Sequence, residues 1–374
     1  MDLRLTDEQA MLRDAVRDAL AEKSGPEVVR RMEDDPVGYP PELWKAFVDM
    51  DLVGLALPEE FGGSGQTLLE VAVLYEELGR ALAPTPHFVS AVMAGGLLAR
   101  AGNDEQKKAW LPAIARGETV LTTAWLEPGG SSGPLGVQLS ARVEGNGYRL
   151  SGTKTCVPFA RAAKGLLTLV RTGDEERAVD LLLVDPASPG VTLIQLLTMG
   201  GEAQYEVQLD DVAVPSSARI GDPGSGWDQW ELVLEAGWVA LAAWDVGCAA
   251  RALEMATEYA AERVQFGRPI GSFQAVAHQL STAAIQVEGA RTLVHEAAWS
   301  QSVGLPSRQL AAMAKSFSGA TARLATATGQ QVLGGIGFTE DIDMHLYYRR
   351  AKQSQVSWCD PRYLEEVIAS SILD

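Results

Sequence analysis

The stretch Glu262-Arg-Val-Gln-Phe-Gly-Arg-Pro-Ile-Gly-Ser-Phe-Gln274 fixes how the chain is organised. Before it runs a long Ala-, Leu- and Trp-rich segment, Glu231–Val264, that contains no proline. Gly267, Pro269 and Gly271 then close that segment. Glycine ends a helix cheaply in a left-handed conformation, and proline has no N–H with which to continue one. Two more helices are expected over Phe273–Ser302 and Ser307–Gln331, the second stopping at Gly334-Gly-Ile-Gly337. A shorter helix covers Asp341–Gln355 and a last one starts at Pro361. Long helices with short connections predict an antiparallel bundle over residues 226–374.

Working backwards, residues 120–225 change period. Arg142-Val-Glu-Gly-Asn-Gly-Tyr-Arg-Leu150 sets Gly-Asn-Gly between alternating residues, a hairpin signal. Strand-like runs follow at Leu166–Arg171, Val179–Val184, Val191–Leu196 and Tyr205–Val214, and their punctuation predicts an antiparallel sheet or small barrel. Residues 1–119 read as helical again. Thr6 and Gln9 form a capping-box pattern ahead of a helix to about Ala21. Pro40-Pro41 open a helix whose apolar face carries Leu43, Trp44, Phe47 and Val48. The loop Pro58–Gly65 precedes a helix at Leu68–Leu82, and Ala91–Ala101 and Glu105–Ala115 supply two more. The fold class is α+β, in the order helical, β, helical.

Composition removes several functions. Thirty-one Lys and Arg against 49 Asp and Glu give a net charge of −18, a surface that repels nucleic-acid backbones. Cys156, Cys248 and Cys359 stand far apart, so a reducing cytoplasm is expected rather than a disulfide framework. No apolar leader is read at the start, and the run Leu232–Trp244 is too short to cross a bilayer. His87, His278, His295 and His345 show no metal-ligand spacing, so no metal is expected.

Glu262–Gln274 and Gln331-Val-Leu-Gly-Gly-Ile-Gly-Phe338 resemble the two signature stretches of the acyl-CoA dehydrogenase family. Pro58–Gly65, Glu127-Pro-Gly-Gly130 and Asp210-Asp-Val-Ala-Val-Pro215 match weaker patterns of that family, in the right order along the whole chain. The resemblance implies an N-terminal helical domain, a central β domain, a C-terminal four-helix bundle and FAD as cofactor. The implied reaction is α,β-dehydrogenation of an acyl-CoA, with an electron-transfer flavoprotein or similar acceptor downstream. It further implies that Arg263, Phe266, Gln274, Gln331, Gly334 and Gly335 reach the ADP half of an FAD whose flavin ring lies in a neighbouring subunit. The physics agrees: a pyrophosphate needs a fixed cation such as Arg263, and glycines without Cβ let backbone donors approach. Singly, each has a plainer reading, Arg263 as a charge late in a helix and Gly334-Gly335 as a C-cap.

Other positions depart from the family. The reaction needs a carboxylate to remove the thioester α-proton. The family usually places a Glu after an Arg-x-Ala-Lys stretch; here a gap-free reading of Arg349–Asp360 puts Trp358 there. The alternative Glu position, on the helix before Arg263, holds Gly237. Glu235 lies two residues away as a displaced candidate, and Asp360 before Pro361 reads as a helix cap. On the flavin-ring side, Leu126 replaces a Thr, Cys156 and Pro158 replace a Trp and a Thr, and Trp238 stands where Arg is common. Ser132 persists near a substrate-contacting Ser. The retained half serves a neighbour and the lost half serves the chain itself, which predicts a paralogous partner. The pattern is similar to the α2β2 heterotetramers of bacterial steroid side-chain degradation, and small residues at the Trp position leave room for a bulky acyl group. Two alternatives remain: a homotetramer using Glu235, or a non-enzymatic scaffold.

Overall fold

A computed structural model describes residues 4–373 of the chain. In chain order the helices are α1 (Asp7–Lys23), α2 (Pro26–Met32), α3 (Pro41–Asp49) and α4 (Leu68–Ala81). A π-helical segment, Phe88–Gly95, runs into α5 (Gly96–Ala101), and α6 (Asp104–Ala115) follows. Eight strands come next: β1 (Leu121–Ala124), β2 (Ser140–Glu144), β3 (Gly147–Pro158), β4 (Gly165–Arg171), β5 (Val179–Val184), β6 (Val191–Leu196), β7 (Gln204–Pro215) and β8 (Arg219–Ile220). Then come α7 (Gly226–Glu262), the short strands β9 (Val264–Gln265) and β10 (Arg268–Pro269), α8 (Gln274–Ser302), α9 (Arg308–Leu333), α10 (Met344–Val356) and α11 (Pro361–Leu373). The chain divides into two compact units.

One unit comprises the described residues up to Arg30, Thr67–Ala83 and the described residues from Trp238 onward. It is all helical but for β9–β10. The Thr6/Gln9 capping box forms as expected, each side chain bonding the other's backbone N–H. Where α4 crosses α7, the helices touch backbone to backbone. A Cβ on Gly79 would stand 1.9 Å from the carbonyl oxygen of Trp244, and one on Gly247 only 1.8 Å from that of Glu76. Glycine is required at both points. Inside, the Lys315 ammonium meets Asp245 Oδ2 at 3.0 Å and the Ser354 carbonyl at 2.7 Å, with both charged side chains essentially fully buried. Two charges removed from water repel solvent loss strongly, so only their mutual pairing makes the site tenable. By length and composition α7 is able to cross a membrane, but 78% of its apolar window is buried in the protein. It is a core helix.

The other unit comprises Arg31–Gln66 and Pro84–Gly237. Its sheet runs β6-β7-β3-β2-β4-β5-β8, with β1 beside β4. Neighbours are antiparallel apart from β1 against β4 and the single Ser140–Arg171 pairing of β2 with β4, so the sheet is mixed. The Gly-Asn turn joins β2 to β3 as the sequence predicts, with Gly145 at a positive φ of 59°. Leu43, Trp44 and Phe47 of α3 face inward, and the Trp44 indole donates to the Gly117 carbonyl at 2.9 Å. Trp227 and Trp230, in the first turns of α7, are fully buried. Each such ring removes roughly 200 Å² from water, worth up to about 5 kcal/mol.

Two features depart from the sequence reading. The helix expected at Ala91–Ala101 starts at Phe88 and is π-wound to Gly95, which widens the turn that carries Phe88 and Met93. The four residues of β1, all buried, form a parallel strand that was not anticipated.

Candidate functional site

Past the end of α7, the interrupted stretch is not an irregular loop. β9 and β10 pair antiparallel, Val264 with Pro269 and Gln265 with Arg268, across a two-residue turn. Phe266 and Gly267 take φ values of 54° and 78°, the signature of a type I′ hairpin. This puts Phe266 at the tip, 92% exposed, with its ring edge-on to Phe273 at 6.0 Å between centroids. The Arg268 guanidinium lies 4.1 Å from the centre of the Phe273 ring, a cation–π contact that stiffens the hairpin. Arg263 is exposed where α7 runs into the hairpin, its carbonyl accepting from the Ile270 N–H at 2.8 Å. Gln274 is the first residue of α8 and is exposed.

The second signature comes to the same end of the helical unit. Only residues 303–307 connect α8 to α9, so the two are neighbouring antiparallel helices. A side-chain carbon at Gly289 would stand 3.5 Å from the Phe317 ring. Counting equal steps away from that pair along both helices brings Gln274 level with Val332, beside Gln331 and Gly334. Gly334 has φ 64° and ψ −138°, a conformation open in practice only to glycine. A Cβ on Gly334 or Gly335 would meet nothing within 4 Å. These glycines are therefore not required by packing within the chain. Open space above a bare backbone, next to an exposed arginine, glutamine and phenylalanine, fits the dinucleotide half of a cofactor.

The positions where the resemblance implies a base are Trp358 and Gly237. Trp358 occupies the connection between α10 and α11 with φ 58°, and Cys359 follows at φ 85°. Its carbonyl oxygen accepts from the Trp238 indole N–H at 2.8 Å. Asp360 caps α11, its Oδ1 accepting from the N–H groups of Arg362 and Tyr363 at 2.9 and 3.1 Å, as its place before Pro361 implies. At Gly237 a Cβ would stand 2.7 Å from Met93 Sδ and 3.3 Å from the Phe88 ring. Side chains of the π-helical segment therefore crowd residue 237. Glu235 is 8% exposed on α7 and engaged with its neighbours.

On the sheet, Leu126 anchors by its carbonyl, which accepts from Thr155 N–H at 2.9 Å. Cys156 sits in a bulge of β3 at φ 52°, with an exposed free thiol. The Pro158 carbonyl accepts from the Thr122 hydroxyl at 2.6 Å. Pro158 has no backbone N–H and Leu126 no hydroxyl, so neither supplies the donor that the family resemblance implies at its position. Ser132, half-buried, lies on the loop before the Pro134–Gly136 turn.

Family models for the N-terminal, middle and C-terminal domains of acyl-CoA dehydrogenase match residues 6–118, 122–212 and 224–357. The probable acyl-CoA dehydrogenase YngJ of Bacillus subtilis is 32% identical over the full length of both chains. The chain belongs to the acyl-CoA dehydrogenase family. The cofactor of that family is FAD. Among solved acyl-CoA dehydrogenase-like structures, the ChsE4-ChsE5 complex of Mycobacterium tuberculosis superposes with a TM-score of 0.91 at 29% identity, covering 100% of this chain and 99% of that one. A variant of the Tcur3481-Tcur3483 steroid ACAD superposes at 0.87 with 30% identity, covering 98% and 99%.

Sequence reasoning missed two contributions to the acyl-CoA dehydrogenase site region. Gly267 and Arg268 build the hairpin that presents Phe266; two residues of alternating pattern on each side of Phe-Gly were the available signal. The second is the pair beneath the Glu127-Pro-Gly loop. Lys154 is fully buried, and its ammonium meets Glu127 Oε1 at 2.6 Å. The same oxygen accepts from the N–H groups of Gln138 and Leu139 at 3.0 and 2.9 Å, closing the loop that carries Ser132. Burial pulls the Lys154 ammonium down to about 8 despite Glu127.

Proposed function

We propose that this chain is the subunit without a base in a heteromeric FAD-dependent acyl-CoA dehydrogenase, and that it completes the FAD site of a paralogous chain. The single observation that carries the reading is an asymmetry. The hairpin tip at Phe266 and the open glycines Gly334 and Gly335 fit a dinucleotide, whereas Trp358 and the crowded Gly237 leave both base positions without a carboxylate. Bound FAD supplies hydride acceptance from Cβ of an acyl-CoA thioester. This chain's part is to hold the ADP portion through Arg263, Gln274, Gln331 and the Gly334–Gly335 backbone, with Phe266 packing against it. The proton-abstracting carboxylate and the donors around the flavin ring come from the partner.

The substrate class we infer is a bulky polycyclic acyl-CoA, such as the CoA ester of a steroid side chain undergoing β-oxidation in the cytoplasm. Cys156 in place of a Trp supports it, as does likeness to the ChsE4-ChsE5 complex and to a steroid ACAD. The experiment is co-expression with a paralogue that carries a Glu at either base position. One FAD per pair of unlike chains is expected, with turnover by the pair and none by this chain alone. Arg263→Ala should then lower the flavin content of the pair. A yellow, fully active single-chain preparation overturns the reading, and loss of that activity in Glu235→Gln would point to a homotetramer instead. Unchanged flavin in the Arg263→Ala pair would point to a scaffold.

A further inference from the structure

The sheet-bearing unit contains a polar cleft of about 470 Å³ that the dehydrogenation chemistry does not use. It lies where the last turn of α5, the first turn of α6, the β7–β8 connection and the first turn of α7 meet, lined by Arg100, Asn103, Gln106, Arg219, Ser225 and their neighbours. Two helices of ample length begin at it. Asn103 caps α6, its Oδ1 accepting from Gln106 N–H at 2.9 Å, and the Ser225 carbonyl accepts from Gln229 N–H at 3.1 Å at the start of α7. Both positive dipole ends therefore face one space.

The floor is rigid. Gln106 is only 9% exposed and spends both amide hydrogens on the carbonyls of Ser217 and Arg219, each at 2.9 Å. Arg219 Nη1 donates to the Tyr148 hydroxyl at 3.0 Å, while its Nε is buried with no acceptor. Among the described residues neither Arg219 nor Arg100 is held in an ion pair, unlike Arg17, Arg80, Arg177 and Arg291, which each grip a carboxylate. In a chain of net charge −18, two guanidinium groups clear of ion pairs on the wall of one cleft leave that wall locally cationic. The acidic lining residue is Asp222, which is exposed.

We propose that this cleft binds the phosphate group of a small polar phosphate ester. Guanidinium forks and helix N-termini both match a phosphate dianion, and a charge-assisted bond to each is the strong kind. The cleft exceeds the space of a bare phosphate, and no aromatic ring lines it for stacking a base, so the ester carries a polyol rather than a nucleoside.

The test is calorimetric titration of the full-length chain with glycerol 3-phosphate, glycerol and acetate. Saturable binding of glycerol 3-phosphate alone is expected. Arg100→Gln and Arg219→Gln should each weaken it about tenfold or more, with flavin content of the complex unchanged. Because Arg100 is exposed, its replacement tests the cleft even if Arg219→Gln disturbs the fold through Tyr148. No saturable binding of glycerol 3-phosphate, equal affinity in Arg100→Gln, or acetate binding as tightly as the phosphate ester each overturns the proposal.

Discussion

The indole N–H of Trp238 donates to the main-chain oxygen of Trp358 at 2.8 Å, tying α7 just after Gly237 to the connection between α10 and α11. The Tyr363 ring packs edge-on to Trp238, 6.5 Å between centroids. Two consecutive left-handed residues, Trp358 and Cys359, are costly for bulky side chains, so this connection is held by its surroundings rather than by its own preference.

Trp238→Phe removes the indole donor to the Trp358 carbonyl. A loss of about 1–3 kcal/mol is expected in equilibrium denaturation, with the near-ultraviolet aromatic signal altered. An unchanged midpoint would mean that the bond contributes nothing.

Placing a carboxylate at residue 237 should fail for a steric reason. Gly237→Glu drives a side chain into Met93 and Phe88 and buries a carboxylate, at a cost of about 3 kcal/mol or more. Adding Met93→Ala relieves part of it. Thermal melting of the single and double variants measures the rescue.

Gly335→Leu separates the chain's own stability from cofactor retention. Nothing lies within 4 Å of a Cβ there, so melting of the chain should move by less than about 0.5 kcal/mol. Flavin bound per complex, read by absorbance, should fall several-fold if residue 335 faces a dinucleotide.

Lys315→Met strands the Asp245 carboxylate in the core, where burial already raises its pKa despite Lys315. A loss of roughly 3–5 kcal/mol is expected, and the double variant Lys315→Met/Asp245→Leu should recover most of it. Urea midpoints of the parent chain, both single variants and the double variant close the cycle.

His87 carries a pH signature. Its ring is buried, with Nε2 3.0 Å from the Leu52 carbonyl, and desolvation lowers its pKa from 6.5 to about 4. The unfolded chain binds the proton more readily, so stability from this group is fully present above pH 6.5. It is lost as pH falls toward and through 4, to a total of about 3 kcal/mol. His87→Gln should flatten that part of the stability profile, measured by denaturation at stepped pH.

Much of the fold was legible because its signals are local. Val179–Val184 and Val191–Leu196 are bounded as the punctuation around them implies, and the helix stops at Gly334 and before Pro361 follow from glycine and proline chemistry. β1 was not legible, since Leu121–Ala124 is buried on both faces and so shows no alternation. Nor was the π-winding of Phe88–Gly95, because its residues suit an ordinary helix equally well. The Asp245–Lys315 pair joins residues seventy positions apart, which no spacing rule reaches. At residue 237 the glycine itself was legible, while what crowds it, Met93 and Phe88, lies on another element.

The aromatic ring at the tip of the hairpin is left to water by the chain that makes it. If its cover is a cofactor seated on a different polypeptide, loading becomes second order in protein. Diluting a purified preparation should bleach it, and cells making the two products in unequal dosage should accumulate colourless surplus. The yield of working enzyme would then follow the scarcer of the two transcripts.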